Sequence, residues 1–491
     1  MKNKNILEIH FLLKNKKISC LELVKYFLKK IENNSNFNSL LNFNLKKIFS
    51  DSCKIDILIK KNILNVLTGV PFFCKDNFVT KDIITTSGSK LLKNFLSPYD
   101  STLIKRLKNL GCLVLGKTNM NEFCVGSDNF NEYYGSVKNS WNNFFSSGGS
   151  SGGSAVSVSL NLSPFSIGSD TGGSLRQPSS LNNLFSIKPT YGRISRYGMI
   201  SYSSSLDQPG IISTNILNCA LVLNVLSGFD LKDSNTLFFK KEDYTKYIGK
   251  NWIFSLKNKK FFGLSLGVSK DFYFSDLDYD LRSNFEYVLS QFEFLGAKIF
   301  YISFNFIKII DSLYYIVSSS ELSSNLSRFD GIIYGYNKFL KLFNSIDKFR
   351  SYSFNNFVKD KIFIGNFILS SKIGRKFFLN SKKIRKLLID DFQIKFNFCD
   401  LIITPVIPVL PWYIFNKNEN FFSKIFIDFY TTFVNFLGFP SASIPSGLLK
   451  KYNIFIPLSF QIVGNYCKES RLIQICYEFQ NNNYFNNSLW N

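Results

Sequence analysis

The chain has 491 residues, of which 45% are hydrophobic, and it carries a formal net charge of +24. This composition excludes a disordered or fibrous protein, because it provides ample apolar surface for a large buried core. The nine cysteines form no CxxC pair, and His10 is the single histidine. The sequence therefore shows no zinc-binding pattern, and we predict no metal site and free thiols in a reducing compartment.

The predicted elements begin with helices. Residues 1–60 place apolar side chains such as Leu21, Val24 and Phe27 at helical spacing. In residues 61–231, short apolar strands such as 165–167 alternate with helices that open at glycine-rich segments. We predict that residues 61–231 form the catalytic core.

The second half of the chain changes character twice. Residues 232–398 are rich in Lys, Asn and Phe, and their pattern predicts a mostly helical covering region. Residues 399–480 return to sheet-like segments such as 454–463. Because strands alternate with helices, the sequence predicts an α/β fold: one large domain over residues 1–491, with a mixed, mostly parallel central sheet covered by helices on both faces.

No segment has the pattern of a membrane span or a targeting signal. The most apolar run begins at Leu401, but it is too short to cross a bilayer, and Pro405, Pro408 and Pro411 interrupt it. The N-terminal residues have the pattern of an amphipathic helix rather than of a signal peptide. We therefore expect a soluble, cytoplasmic protein with no membrane partner.

The excess of basic residues has two interpretations. The chain contains 59 Lys and Arg against 35 Asp and Glu, and the basic residues are scattered rather than gathered in one arm. One interpretation is compositional drift, since Asn, Ile and Phe are abundant as well. The other is a contribution to binding a polyanion such as nucleic acid. The sequence leaves both open.

The segment GSDTGGS, residues 168–174, follows a predicted strand and opens a predicted helix. Backbone N–H groups at such a turn have no partner within the helix, so they point at whatever lies above it. The N–H groups of Thr171, Gly172, Gly173 and Ser174 can therefore form an oxyanion hole around a carbonyl attacked by the Ser174 hydroxyl. A tight turn with a serine cap remains the alternative for this motif alone.

A serine nucleophile needs a base, and the usual imidazole is missing here. His10 is far in sequence from both glycine–serine clusters. Lys75, in GVPFFCKDN, is the leading candidate, since burial would lower the pKa of its amine and leave it neutral. The other cluster, GGSSGGS from Gly148, would by itself equally suit a flexible linker.

These three segments together resemble the amidase signature family. KPTYGRISRYG from Lys188 and SSLDQPG from Ser204 extend the resemblance over roughly residues 5–475. The resemblance implies a triad in which Ser174 is the nucleophile, Ser150 the bridging serine after a cis peptide bond, and Lys75 the base. It also implies supporting roles for Ser151 and Asp170.

Within that family, GKTNMNEF (116–123) and SSNLSRFDGIIYGY (323–336) resemble the A subunits of tRNA-dependent amidotransferases. The resemblance implies glutamine hydrolysis with no cofactor in this chain. It further implies a heterotrimer with B and C subunits, in which the B protein uses ATP and Mg²⁺ to convert Glu-tRNA(Gln) to Gln-tRNA(Gln). The misacylated tRNA would then be bound mainly through the partner.

The same resemblance places three residues against the glutamine substrate: Tyr314, Lys361 and Asp428. Lys361 stands where the family usually has an arginine, and a lysine does not reproduce a forked contact to a carboxylate. We expect a raised KM for glutamine rather than lost activity.

Two other functions stay open at this point. A stand-alone amidase acting on a small amide would use the same triad and would not need partners. A non-catalytic, basic RNA-binding scaffold would use the charge alone. The sequence does not distinguish Glu-tRNA(Gln) from Asp-tRNA(Asn) as the final acceptor, since that choice would lie in the partner.

Overall fold

The computed structural model describes residues 5–240, 242–250, 259–273, 277–305, 307–335, 345–414, 427–451 and 453–482. Within these ranges the strands join into a single sheet. In chain order the strands are β1 (Leu40–Asn42), β2 (Pro71–Lys75), β3 (Leu113–Thr118), β4 (Phe165–Asp170), β5 (Phe185–Lys188), β6 (Gln208–Ser213), β7 (Ser265–Ser269), β8 (Lys298–Ile302), β9 (Leu401–Pro405), β10 (Ser441–Lys451) and β11 (Ile454–Gly464).

The described helices surround this sheet. In chain order they are α1 (Ile6–Lys14), α2 (Cys20–Asn33), α3 (Leu45–Lys60), α4 (Thr102–Asn109), α5 (Gly152–Ser159), α6 (Arg176–Leu181), α7 (Ile216–Leu226), α8 (Lys270–Tyr273), α9 (Tyr279–Phe294), α10 (Ile310–Leu326), α11 (Ile346–Ser353), α12 (Asn356–Ser370), α13 (Lys372–Lys395), α14 (Phe429–Leu437) and α15 (Glu469–Asn482). None of the helices in the described ranges combines the length and the apolar character needed to cross a lipid bilayer.

Local sequence explains why the first helices start where they do. Asn5 and Glu8 form a reciprocal capping box at the start of α1, and Ser19 and Glu22 do the same for α2. Each box satisfies backbone N–H groups that have no partner within the helix. The described residues up to Lys60 thus form helices α1, α2 and α3 together with strand β1.

The sheet runs in the order β1-β3-β2-β4-β6-β5-β10-β11-β9-β7-β8. This confirms the predicted α/β fold with a mixed central sheet. The expectation that the sheet is mostly parallel is wrong, because six of the ten pairings between described strands are antiparallel. The reason is that β6 inserts between β4 and β5 and runs antiparallel to both, while β10 and β11 form a hairpin.

Helices cover both faces of the sheet, as predicted. Leu401 and Ile403 of β9 pack in a cluster with residues of α1 to α4, α7, α9 and α15, whereas Ile402 packs in a second cluster with residues of α10, α13 and α14. On β6, Ile211 packs in the first of these clusters, whereas the next residue, Ile212, packs against α5 in another cluster. Because successive side chains on a strand point to opposite faces, both faces are buried.

The described residues of the range 232–398 form helices α8 to α13, and they also supply β7 and β8 at one edge of the sheet. The ladder in this part is parallel, and β9 from the following region joins it. The covering region and the core therefore share one sheet. The division of the chain into the regions 1–60, 61–231, 232–398 and 399–480 stays a prediction.

Helix α12 lies very close to α10 at Gly365. A Cβ atom on Gly365 would overlap the backbone carbonyl oxygen of Ser319 on α10, and it would also press on Ser323. A backbone atom inside a helix cannot move aside cheaply, so this close approach requires glycine.

We expect Gly365→Ala to lower the melting temperature. Overpacking costs about 1–3 kcal/mol, which exceeds the gain of at most about 1 kcal/mol from replacing a helical glycine by alanine. Thermal unfolding followed by circular dichroism measures the change. Asn366→Ala, at the next and exposed position of the same helix, is the matched control and should unfold at or above the wild-type temperature. An unchanged or raised melting temperature for Gly365→Ala would contradict the close packing.

Candidate functional site

Lys75 is the last residue of β2, and its side chain is completely buried. Its Nζ atom lies 2.7 Å from Ser150 Oγ, 2.9 Å from Ser151 Oγ and 3.0 Å from Ser169 Oγ. The parallel pairing of β2 with β3 on one side and β4 on the other fixes the end of the strand. The amine is thus held by hydroxyl groups inside the protein.

Burial lowers the pKa of Lys75 below its ordinary value, because the charged form is poorly solvated. Cys124, Asp170 and Asp207 act in the opposite direction but do not outweigh burial. A neutral amine carries a lone pair and can accept a proton. The environment of Lys75 therefore suits the role of base predicted for it.

The glycine–serine cluster GGSSGGS, which begins at Gly148, is a structured part of the site and not a linker. The Gly149–Ser150 peptide bond is cis, and a side chain on Gly149 would overlap the Asn121 side chain. Ser151 donates its backbone N–H to the Ser174 carbonyl at 3.0 Å and its hydroxyl to the Ser169 carbonyl at 3.0 Å. These bonds join the cluster to the turn that carries the predicted nucleophile.

Ser174 lies in the turn between β4 and α6, where it is only partly buried and faces a cavity. Of the four predicted oxyanion donors, Gly173 already donates its N–H to Asp170 Oδ1 at 2.8 Å. Within the described part of the chain, the N–H groups of Thr171, Gly172 and Ser174 donate to no backbone carbonyl. These three N–H groups are therefore the ones left for the predicted oxyanion hole.

Asp170 connects this turn to the start of α6 through hydrogen bonds with Gly173 and Arg176. Its carboxylate is fully buried and accepts two bonds from the Arg176 guanidinium, at 3.0 and 3.1 Å. Burial alone would raise the pKa of Asp170, but the charge and hydrogen bonds of Arg176 outweigh it and hold the pKa below its ordinary value. Arg176 also donates to Asn435 and Gln461, which connects the turn to α14 and β11.

The cavity beside Ser174 has a volume of about 80 Å³. This is well below the ~300 Å³ at which pockets for drug-sized ligands begin, so the site favours a small substrate. Tyr314 from α10, Lys361 from α12 and Asp428 before α14 all line the cavity together with Gly172 and Ser174. The structure therefore brings the three predicted substrate-binding residues to the predicted nucleophile.

Two of these residues give the cavity opposite charges. Burial lowers the pKa of Lys361 to about 7, although Asp428 favours its charged form, and its Nζ lies 3.5 Å from the centre of the Tyr315 ring. Burial raises the pKa of Asp428 to about 6, against the hydrogen bonds from Gln177 and Ser127 at 2.9 Å each. A cation and an anion in one small cavity match the carboxylate and ammonium groups of an amino acid.

Tyr314 packs against the oxyanion turn. A side chain on Gly172 would overlap the Tyr314 hydroxyl, so the ring lies directly over that glycine. The ring is buried, and burial raises the pKa of the hydroxyl well above its ordinary value. Tyr314 therefore remains a neutral hydrogen-bonding group at the wall of the cavity.

Sequence reasoning missed several residues that hold the site together: Ser127, Ser169, Arg176, Gln177 and Thr431. Three of these adjoin the DTGGS motif in the sequence, so their position was a usable signal. Ser127 and Thr431 have no local signal, because their partners are distant along the chain. His10 lies on α1 and does not line the cavity.

The described ranges contain no group of three or more His, Cys, Asp or Glu side chains placed to hold a metal ion. Asp428 of the cavity accepts hydrogen bonds from Gln177 and Ser127.

Comparison with known proteins gives consistent results. The model of the family described as Amidase matches residues 22–473. The A subunit of glutamyl-tRNA(Gln) amidotransferase from Paraburkholderia phymatum is 39% identical over 484 residues, which cover 98% of this chain and 97% of that protein. The protein of the same name from Paraburkholderia phytofirmans is 39% identical over 482 residues, with the same coverage.

Solved structures agree with this similarity. The crystal structure of the A subunit of glutamyl-tRNA(Gln) amidotransferase from Thermotoga maritima has a TM-score of 0.77 at 27% identity and covers 96% of each chain. The peptide amidase of Stenotrophomonas maltophilia, at 20% identity, shares the fold with a TM-score of 0.82 over 97% of this chain and 96% of its own. On the family model, the relatives and the fold together, the chain belongs to the amidase family.

Proposed function

We propose that the chain is the glutaminase subunit of a tRNA-dependent amidotransferase. The observation that carries this proposal is the cavity, in which Lys361 and Asp428 offer opposite charges beside Ser174. Glutamine presents a carboxylate and an ammonium group at one end and the reactive amide at the other. Its backbone groups would pair with Lys361 and Asp428, and its amide would reach Ser174.

In the proposed reaction, Ser174 Oγ attacks the side-chain amide carbon of glutamine. Its proton passes to Ser150 as the proton of Ser150 passes to the neutral amine of Lys75. The N–H groups of Thr171, Gly172 and Ser174 stabilise the negative oxygen of the tetrahedral intermediate. The proton then returns to the leaving nitrogen, the carbon–nitrogen bond breaks, and ammonia departs from a glutamyl ester on Ser174 that water hydrolyses.

The similarity to A subunits of glutamyl-tRNA(Gln) amidotransferase supports a proposal about the partners. We propose that this chain works with B and C subunits, and that the B protein uses ATP and Mg²⁺ to activate the glutamate carried by Glu-tRNA(Gln). Ammonia from this chain would complete the amide. In this scheme the chain itself holds no cofactor, and the misacylated tRNA binds mainly to the partner.

Ser174→Ala and Lys75→Met should each lower glutamine hydrolysis about 10³-fold or more, because the nucleophile and the base act as one unit. Release of ammonia from glutamine by the purified chain, alone and with its B and C subunits, measures the loss. Ser370→Ala and Lys376→Met change exposed residues of the same types and should retain full activity.

The same assay separates the proposal from a stand-alone amidase. The complete complex should form Gln-tRNA(Gln) from Glu-tRNA(Gln), glutamine and ATP, and Ser174→Ala should abolish that reaction with glutamine but not with added ammonia. Hydrolysis of other small amides without any glutamine-dependent formation of Gln-tRNA(Gln) would contradict the proposal.

Glutamine binding should depend on pH in both directions. Asp428 binds the ammonium group only when ionised, so binding weakens as the pH falls below its pKa of about 6. Lys361 binds the carboxylate only when protonated, so binding weakens as the pH rises above its pKa of about 7. Calorimetric titration of the Ser174→Ala variant, which cannot turn over, should give the lowest Kd between these two values.

Lys361→Arg tests the alkaline side of this profile. A guanidinium remains charged at every accessible pH, so the variant should bind glutamine more tightly than the parent, and the difference should grow well above the pKa of Lys361. The acid side, which belongs to Asp428, should not change. Equal Kd values for the two proteins at high pH would contradict the role assigned to Lys361.

A further inference from the structure

Gln177 connects the substrate-binding carboxylate to the turn that carries the nucleophile. Its Nε2 atom donates to Asp428 Oδ1 at 2.9 Å and to Thr431 Oγ1 at 3.0 Å. The Thr431 hydroxyl in turn donates to the Gly172 carbonyl at 2.6 Å. A continuous series of hydrogen bonds therefore runs from the wall of the cavity to the oxyanion turn.

The chemistry of the neighbours fixes the orientation of the Gln177 amide. The ionised carboxylate of Asp428 can only accept hydrogen bonds. The single hydroxyl proton of Thr431 is directed at backbone carbonyls, at 2.6 Å from that of Gly172 and 3.0 Å from that of Asp428, so its oxygen is an acceptor for Gln177. Both neighbours therefore favour the NH₂ group of Gln177, since the reversed amide would turn its carbonyl oxygen toward two acceptors and leave Asp428 Oδ1 with the Ser127 hydroxyl as its donor.

The backbone of the turn is fitted to this arrangement. Gln177 donates its own N–H to the Gly173 carbonyl at 2.9 Å. A side chain on Gly173, where φ is +130°, would overlap Thr431 Oγ1 and crowd the Gln177 amide. The turn and the two side chains thus occupy one closely packed unit.

Gln177 acts from behind the cavity wall. Gln177 is 1% exposed and Thr431 is fully buried, and neither lines the cavity. Asp428 does line it. A substrate therefore cannot touch Gln177 directly, and any effect of Gln177 on the substrate must pass through Asp428 or through the turn.

We propose that Gln177 is a positioning residue that makes turnover depend on the α-ammonium group of the substrate, by linking Asp428 to the oxyanion turn. This inference rests on the proposed hydrolysis of glutamine. An ammonium group bound to Asp428 keeps the carboxylate ionised, and a hydrogen bond to an ionised acceptor is about twice as strong as a neutral one. The firmly held Gln177 then fixes Thr431, and Thr431 fixes Gly172 beside Ser174.

A substrate without the ammonium group loses this link. Asp428 is buried, and without the ammonium group only Lys361 offsets its charge in the cavity, so a larger fraction of Asp428 is protonated as the pH falls toward its pKa of about 6. The protonated acid is a weaker acceptor for Gln177, and the turn is held less firmly. Gln177 therefore distinguishes α-amino amides from simple amides at the step of turnover and not only at binding.

The test compares glutamine with 4-carbamoylbutanoate, which is glutamine without its α-amino group. Gln177→Leu in the full-length chain should lower kcat/KM for glutamine about tenfold or more, as expected for a lost hydrogen bond to a charged group, and kcat should fall as well. The kcat/KM of the same variant for 4-carbamoylbutanoate should stay close to the wild-type kcat/KM for that substrate. Gln474→Leu removes another buried glutamine, whose amide donates to the Lys250 carbonyl at 3.1 Å, and should leave the ratio of the two substrates unchanged.

A double-mutant cycle shows whether Gln177 acts through Asp428. In the Asp428→Asn background, Gln177→Leu should have little further effect on glutamine, because the link is already broken. Gln177→Glu, which keeps size and polarity, adds a carboxyl group beside Asp428 and should move the acid limb of glutamine turnover to higher pH. This second variant keeps the test decisive if Gln177→Leu does not fold.

The outcomes are distinguishable. A wild-type chain with no preference for glutamine over 4-carbamoylbutanoate overturns the proposed function, and the inference with it. A wild-type preference that Gln177→Leu retains overturns the inference alone. Equal losses on both substrates, or an acid limb unmoved by Gln177→Glu, assign Gln177 a purely structural role and also overturn it.

Discussion

A primary amine buried among hydroxyl groups is the constraint on which the site is built. Lys75 is removed from water, and its Nζ lies within 3.0 Å of three serine hydroxyls. Hydroxyls can donate to or accept from an amine, so they can hold Lys75 without requiring it to be charged. The amine and the hydroxyls come from three places: strand β2, strand β4 and the residues directly before α5. These three parts of the chain must therefore be positioned accurately relative to one another.

The turn beside this amine is rigid because a buried ion pair is fully satisfied there. Asp170 and Arg176 are both completely buried, and an isolated charge in that position would be strongly unfavourable. Backbone N–H groups and the side chains of Asn435 and Gln461 complete the network. Breaking one partner would leave the other charge unpaired, so the turn has little freedom to move.

Short segments of sequence were enough to identify residues that the structure brings together, because Lys75 and the two glycine–serine clusters lie in compact motifs. The prediction of a mostly parallel sheet was wrong, because no local sequence pattern indicates that β6 lies between β4 and β5. The link from Gln177 to Asp428 spans 251 positions, and the bond from Gly173 to Asp170 depends on the folded turn. Such contacts are set by packing, and a pattern of residue types does not contain them.

The close approach of α10 and α12 at Gly365 has an evolutionary consequence. Tyr314 and Lys361 come from this helix pair, whereas Lys75, Ser150 and Ser174 come from the sheet and its turns. Evolution can therefore alter the packing of the helix pair and reshape one wall of the cavity while Lys75, Ser150 and Ser174 stay unchanged. The glycine at the crossing allows the two helices to lie close together, and so it helps to set the position of that wall.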